Sequence, residues 1–157
     1  WIASRNGYKS KFIRAAGEIS NIIPIWIIRK ITSFFEKKKK KLKKILLIGI
    51  SYKANVGDDR ESPAFEIMKR LKAKGVIFDY HDPYFKLLRI GRKNKISLKS
   101  ISLKASNIRK YDASIIVTDH DKINYDLIFK NSNFVFDCRG RFKKYKNISN
   151  NKKIIYC

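Results

Sequence analysis

Two cysteines, three prolines, seven glycines and one methionine among 157 residues leave little material for several common kinds of site. Cys138 and Cys157 cannot make a disulfide framework or a metal-ligand cluster, and cysteine this sparse suits a reducing, cytoplasmic setting. Long hydrophobic runs are also missing. The longest, Ile22 to Ile28, is well short of the ~20 residues that span a bilayer, contains Pro24 and is followed by Arg29-Lys30. No secretory leader is visible, because Trp1 has neither an initiator methionine nor a basic segment before it. A start at tryptophan is expected of a piece of a longer protein.

Acidic residues are scarce: 13 Asp and Glu against 37 Lys and Arg give a net charge of +24. That charge alone would suit a nucleic acid or an anionic membrane as partner. Two features argue otherwise. The lysines are spread along the whole chain, and heavy joint use of Lys, Ile and Asn is what drift toward A/T-rich codons produces. The one dense run, Lys37 to Lys44, has no interleaved aromatic side chains, which a single-strand binder needs for stacking. It fits a solvated helix end and linker, where cations suit the negative helix terminus.

The remaining composition is ample for a core, at 44% hydrophobic and 13% aromatic. Residues 12–35 place Phe12, Ile19, Ile23, Trp26, Ile27 and Phe34, among others, at i, i+3, i+4 and i+7. This spacing predicts a long amphipathic helix, kinked or divided near Asn21 by Pro24, with an apolar face too wide to bury alone. From Ile45 onward, strands and helices alternate. Strands are predicted at 45–50, 76–80, 113–117, 134–137 and 154–156. Helices are predicted from Ser62-Pro63 to Gly75, at 107–111 and at 124–130, with a short strand near 96–98 or 101–103 in the poorly patterned 85–104 stretch. Such alternation makes an α/β fold with a Rossmann-like, doubly wound parallel sheet. Ligands then collect at the carboxyl ends of its strands, near Ser51 to Lys53, His81, Thr118 to His120 and Cys138-Arg139.

The loop after the first strand, Gly49 to Ser62, carries the most information. A dinucleotide site needs closely spaced glycines so that backbone can touch a pyrophosphate, whereas Gly49 and Gly57 are eight positions apart. Lys53 offers a point charge just past a strand end, for a phosphate or a carboxylate. Asp58, Asp59, Arg60 and Glu61 read as an ion-paired turn ahead of a helix capped by Ser62. Arg139, after the last main strand, can fork onto a phosphate or sugar. His81 and His120 fall at strand ends and read as loop hydrogen-bonders, since no serine or cysteine stands at a catalytic spacing. Cys138 reads as a small buried residue and Cys157 as a tail residue. No metal set is evident.

Taken in order, Gly49 through Lys53, Arg60-Glu61-Ser62-Pro63, His81-Asp82-Pro83-Tyr84 and Asp137-Cys138-Arg139 resemble the C-terminal part of the nucleotide-sugar 6-dehydrogenases. This is the family of UDP-glucose, UDP-N-acetylhexosamine and GDP-mannose dehydrogenases, and the Arg-Glu-Ser-Pro and His-Asp-Pro-Tyr versions lean toward the UDP-N-acetylhexosamine branch. The resemblance implies three regions: residues 1–36 from the helical middle, dimerisation domain, a lysine-rich linker at 37–44, and a UDP-binding domain at 45–157. It implies Tyr52, Lys53 and Arg139 as contacts of a UDP-sugar, and a homodimer formed through the helix at 12–35. The family oxidises a sugar C6 alcohol to a uronate with NAD, for polysaccharide biosynthesis. The NAD domain and the catalytic cysteine, in a Gly-Gly-x-Cys segment, would both precede Trp1. These residues alone would then be inactive, with no catalytic side chain and no NAD contact among them. Two alternatives stay open, a stand-alone nucleotide-sugar-binding module and a basic nucleic-acid-binding protein.

Overall fold

Ile45-Leu46-Leu47-Ile48 has no polar side chain to present to water, so it folds only where both faces are covered. The computed structural model, which describes residues 5–7, 10–90, 96–145 and 147–157, gives it that place. In chain order the first elements are α1 (Lys11–Lys37), β1 (Lys44–Ile48), α2 (Pro63–Ala73), β2 (Ile77–His81), β3 (Leu87–Ile90) and β4 (Ile96–Lys99). They are followed by α3 (Ala105–Ile108), β5 (Ala113–Ile116), α4 (Tyr125–Asn131), β6 (Val135–Asp137), a 3-10 turn (Arg141–Lys144) and β7 (Ile154–Tyr156). Five strands form one sheet in the order β2-β1-β5-β6-β7, with every neighbouring pair parallel.

Alternation along the strands divides the core in two. Ile45 and Leu47 of β1, Ala113 and Ile115 of β5 and Phe136 of β6 pack on one face with Ile27, Ile31 and Phe35 of α1 and Ile67 and Leu71 of α2. Leu46, Ile48, Ile116 and Val135 pack on the other with Ile108 of α3, Ile128 of α4 and Phe142 of the 3-10 turn. Helices cover both faces, which makes the sheet doubly wound as expected. Ser62 caps α2 through a bond from the Ala64 N–H to its Oγ (3.2 Å), Pro63 takes the first helical position, and Gly75 ends the element at φ +69°.

Three expectations need correction. Pro24 does not divide the first helix, which runs unbroken from Lys11 to Lys37 with Ser10 as its cap. The proline removes a single donor, and Ile27, Ile28 and Ile31, just beyond it, anchor the helix in the core. Secondly, the 85–104 stretch holds an antiparallel pair of strands, β3 and β4, where one strand was expected. The Tyr80 hydroxyl ties it to β2 by donating to the carbonyls of Phe85 (3.1 Å) and Leu98 (3.3 Å). Thirdly, the short helix before β5 lies at Ala105–Ile108 and not at 107–111. Trp1 lies outside the described residues.

The second half of α1 belongs to the core of the sheet. Phe34 meets Phe134 and Phe136 edge-on at centroid distances of 4.8 and 5.5 Å, and Lys30 Nζ donates to the Tyr156 carbonyl. Its first half behaves differently: Phe12 is 82% and Ile19 59% exposed. Among the described residues no helix is long and apolar enough to cross a membrane. The packing generates a stability contrast. Replacing the fully buried Ile31 by alanine should cost ~2–5 kcal/mol in urea unfolding. The same change at the exposed Ile77 of the edge strand should stay within about 0.5 kcal/mol.

Candidate functional site

The chain leaves β1 toward β2 on one side and β5 toward β6 on the other, so the switch point of the sheet lies between β1 and β5. Loops leaving neighbouring strands in opposite directions open a crevice there. Gly49, the first residue after β1, sits at φ +76°, and a Cβ on it would come within 2.1 Å of the Thr118 carbonyl oxygen. This glycine is therefore used for close packing of the two loops against each other.

Asp82, two residues beyond Tyr80, holds the crevice open in one shape. It is 2% exposed. Its Oδ2 accepts from the N–H groups of Ile50 (2.7 Å) and Ser51 (3.3 Å), the Ser51 hydroxyl (3.2 Å) and His120 Nε2 (3.1 Å). Its Oδ1 accepts from the N–H groups of Tyr84 (2.8 Å) and Phe85 (3.2 Å). The Asn55 N–H donates to His120 Nδ1 (2.9 Å), which assigns the ring proton to Nε2 and makes this buried imidazole a neutral bridge. The Thr118 hydroxyl donates to the Ser51 carbonyl (2.6 Å), and the side chain of Asn55 exchanges two bonds with Asp121. Both histidines act as loop hydrogen-bonders, as expected. His81 meets the Ile101 carbonyl at 2.7 Å.

The expected ion-paired turn is present. Arg60 makes a two-pronged contact with Asp58, at 2.9 and 2.8 Å, which holds the Asp58 carboxyl down at about 2. After it Glu61 adopts a left-handed backbone, φ 59°, an uncommon conformation for a residue with a side chain, immediately before the Ser62 cap. The Ala64 and Phe65 N–H groups are engaged by Ser62, so the start of α2 offers a positive field more than unused donors.

Against these loops lies a cleft of about 1130 Å³. Tyr52, Val117, Cys138, Arg139 and Cys157 form its side at the strand ends. Ser62 capping α2, Phe65 and Arg70 of α2, and Asn21, Ile23 and Trp26 of α1 line the rest of it. Of the three residues picked from the sequence, Tyr52 and Arg139 thus line one cleft, and Arg139 Nε donates to Asp119 Oδ1 at 3.2 Å. Lys53 is not part of the lining; it lies beside it, with Nζ 5.7 Å from the centre of the Tyr52 ring. Cys138 is half-buried at the cleft wall and not simply a core residue, and Cys157 stands beside it and not in a free tail. Asp82 and His120 were not singled out as the pins of the site, nor Trp26 and Arg70 as its walls. An aspartate followed by proline directly after a strand was the available signal for the first. Among the described residues no group of three or more His, Cys, Asp or Glu is placed to hold a metal ion.

Burial raises the Asp82 carboxyl, but the bond from His120 and the amides of Ile50 and Tyr84 outweigh it, so the group ends at about 2 against an ordinary 3.8. A depressed folded-state pKa stabilises above the unfolded value and is lost as pH falls. Asp82 should therefore contribute about 2 kcal/mol above pH ~4, declining as pH drops through 2. Urea titrations at stepped pH check this: Asp82→Asn should flatten the loss between pH 4 and 2. Asp82→Ala, which strands six donors, should cost roughly 3–5 kcal/mol at neutral pH.

Over 121 residues the chain is 29% identical to a UDP-N-acetyl-D-mannosamine dehydrogenase of Methanococcus maripaludis, covering 77% of this chain and 26% of that protein. The enzyme of the same name from Methanocaldococcus jannaschii is 28% identical over 127 residues, 80% of this chain and 27% of its own length. The chain thus spans about a quarter of these curated relatives. The solved structure of a UDP-D-ManNAc dehydrogenase from Pyrococcus horikoshii shares the fold, with a TM-score of 0.66 at 22% identity, over 86% of this chain and 31% of that one. Residues 46–144, from β1 through the 3-10 turn, match the UDP-binding domain of the UDP-glucose/GDP-mannose dehydrogenases, and the chain belongs to that family.

Proposed function

We propose that the cleft at the switch point holds the nucleotide end of a UDP-sugar, and that the chain is the substrate-binding part of an NAD-dependent nucleotide-sugar 6-dehydrogenase. The observation that carries this reading is the meeting of Tyr52 and Arg139, from two different strand ends, in one cleft within the matched region. At about 1130 Å³ its volume slightly exceeds the ~300–1,000 Å³ usual for small-molecule sites. Arg139 supplies a planar fork for phosphate oxygens, with Asp119 holding its Nε. Lys53 supplies a second, mobile charge at the mouth, and the half-exposed Tyr52 ring an amphipathic surface for the nucleoside. The strongly basic surface draws the anionic ligand in.

In the complete enzyme, residues outside this chain supply the NAD site and the cysteine on which the C6 alcohol is oxidised to the carboxylate. The relatives' names favour a UDP-N-acetylhexosamine over UDP-glucose as the sugar. The product, a uronate, suits polysaccharide biosynthesis in the cytoplasm. Residues 1–36 derive from the middle domain, with the second half of α1 packed onto the sheet, 37–44 form a linker and 45–157 the UDP-binding domain. The exposed Phe12, Ile13, Ile19 and Ile22 of α1 form the subunit face of a homodimer.

Titration calorimetry with UDP tests the binding claim. The chain should bind, and Arg139→Ala should weaken binding roughly tenfold or more. Glutamine at Lys37–Lys41, Lys43 and Lys44 should change it less than twofold. Binding that collapses with those lysines, and falls steeply with salt, would instead favour the polyanion reading. With UDP-sugar and NAD supplied, these 157 residues should form no NADH; turnover would contradict the assigned division of labour. For the subunit face, sedimentation should show a dimer that Ile19→Lys with Ile22→Lys converts to a monomer. A wild-type monomer at high concentration would remove that assignment.

A further inference from the structure

Cys138 and Cys157 are 19 positions apart in sequence and neighbours in space. The parallel register of β6 and β7 pairs Val135 with Ile154, Phe136 with Ile155 and Asp137 with Tyr156. One step further along the same register sets Cys138 opposite Cys157, and the Cys157 N–H donates to the Asp137 carbonyl at 3.0 Å. Opposed residues on neighbouring strands project to the same face, and both cysteines pack at the margin of the α1 side of the core. Strands lie about 4.8 Å apart, inside the roughly 4.4–6.8 Å between Cα atoms that a disulfide accepts. Both are free thiols, and both line the cleft.

We propose that Cys138 and Cys157 are a redox modification site, closing to an intramolecular disulfide across the ends of β6 and β7 in the cleft wall. The inference goes beyond the nucleotide-sugar reading and does not depend on it. A peroxide is the oxidant class. The Cys157 thiolate attacks one peroxide oxygen, the O–O bond breaks, and a sulfenic acid forms as hydroxide leaves. The Cys138 thiol then displaces that oxygen as water, forming the S–S bond. Two thiols lose two electrons in all, and one peroxide is reduced to water. A small dithiol reverses the step by exchange.

The two sulfurs are suited to different parts. The neighbouring Cys138 thiol and the Lys30 ammonium lower the Cys157 thiol. Cys138 is raised by the neighbouring Cys157 and by burial. Thus Cys157 is the attacking sulfur and Cys138 the resolving one.

Peroxide treatment of the natively purified chain, followed by denaturation, alkylation and tryptic mass mapping, tests the pair. The expected product joins peptides Asn131–Arg139 and Ile154–Cys157 within one chain, short of two hydrogens, with no alkylatable thiol left. Dithiol should restore both thiols. Cys138→Ser should leave Cys157 oxidised without a crosslink, and Cys157→Ser should slow oxidation of Cys138 by tenfold or more. Two alkylated cysteines after treatment, or a bond found only between chains, would overturn the proposal.

Discussion

One buried carboxylate carries the site. Asp82 lies at the end of β2, yet its six bonds reach the loop after β1, the loop leading into β3 and, through His120, the loop after β5. Removing a carboxylate from water is costly, and only a full set of donors offsets the cost. Those donors come from three separate segments, so the charge is satisfied only when all three converge. The crevice at the switch point is shaped by that convergence, with Gly49 allowing the loops to touch at Thr118.

The remainder of the fold brings chemistry to this crevice. Hydrophobic burial on both faces fixes the order of the parallel strands, which aligns Tyr52, Val117 and Arg139 along one edge. The core half of α1 then closes the opposite side with Trp26 and Asn21. The apolar face of α1 is buried in the core along its second half and exposed along its first. Cys138 and Cys157 lie where the last two strands meet the same wall.

Much of this was legible in the sequence because it depends on local chemistry. Uninterrupted aliphatic strands, Ser62-Pro63 at a helix start and Gly75 at its end reveal the doubly wound sheet residue by residue. Arg139 and Tyr52 were reachable through strand ends, which topology alone brings together. The pins were harder to see, because what His120 and Asp82 do depends on burial and on partners 30 or more residues away. Propensity misjudged Pro24, since tertiary anchoring of Ile27 and Ile31 outweighs one lost backbone bond. The β3–β4 pair escaped because its strands are short and weakly alternating. The pairing of the two cysteines needed a register that periodicity does not supply.

Amide hydrogen exchange with and without UDP tests the central claim most directly, because it maps the site without altering a residue. Protection confined to 49–62, 117–121 and 137–140, with the β3–β4 pair unchanged, is the result this account predicts. Protection centred on residues 37–44, or no change anywhere at saturating UDP, would contradict it.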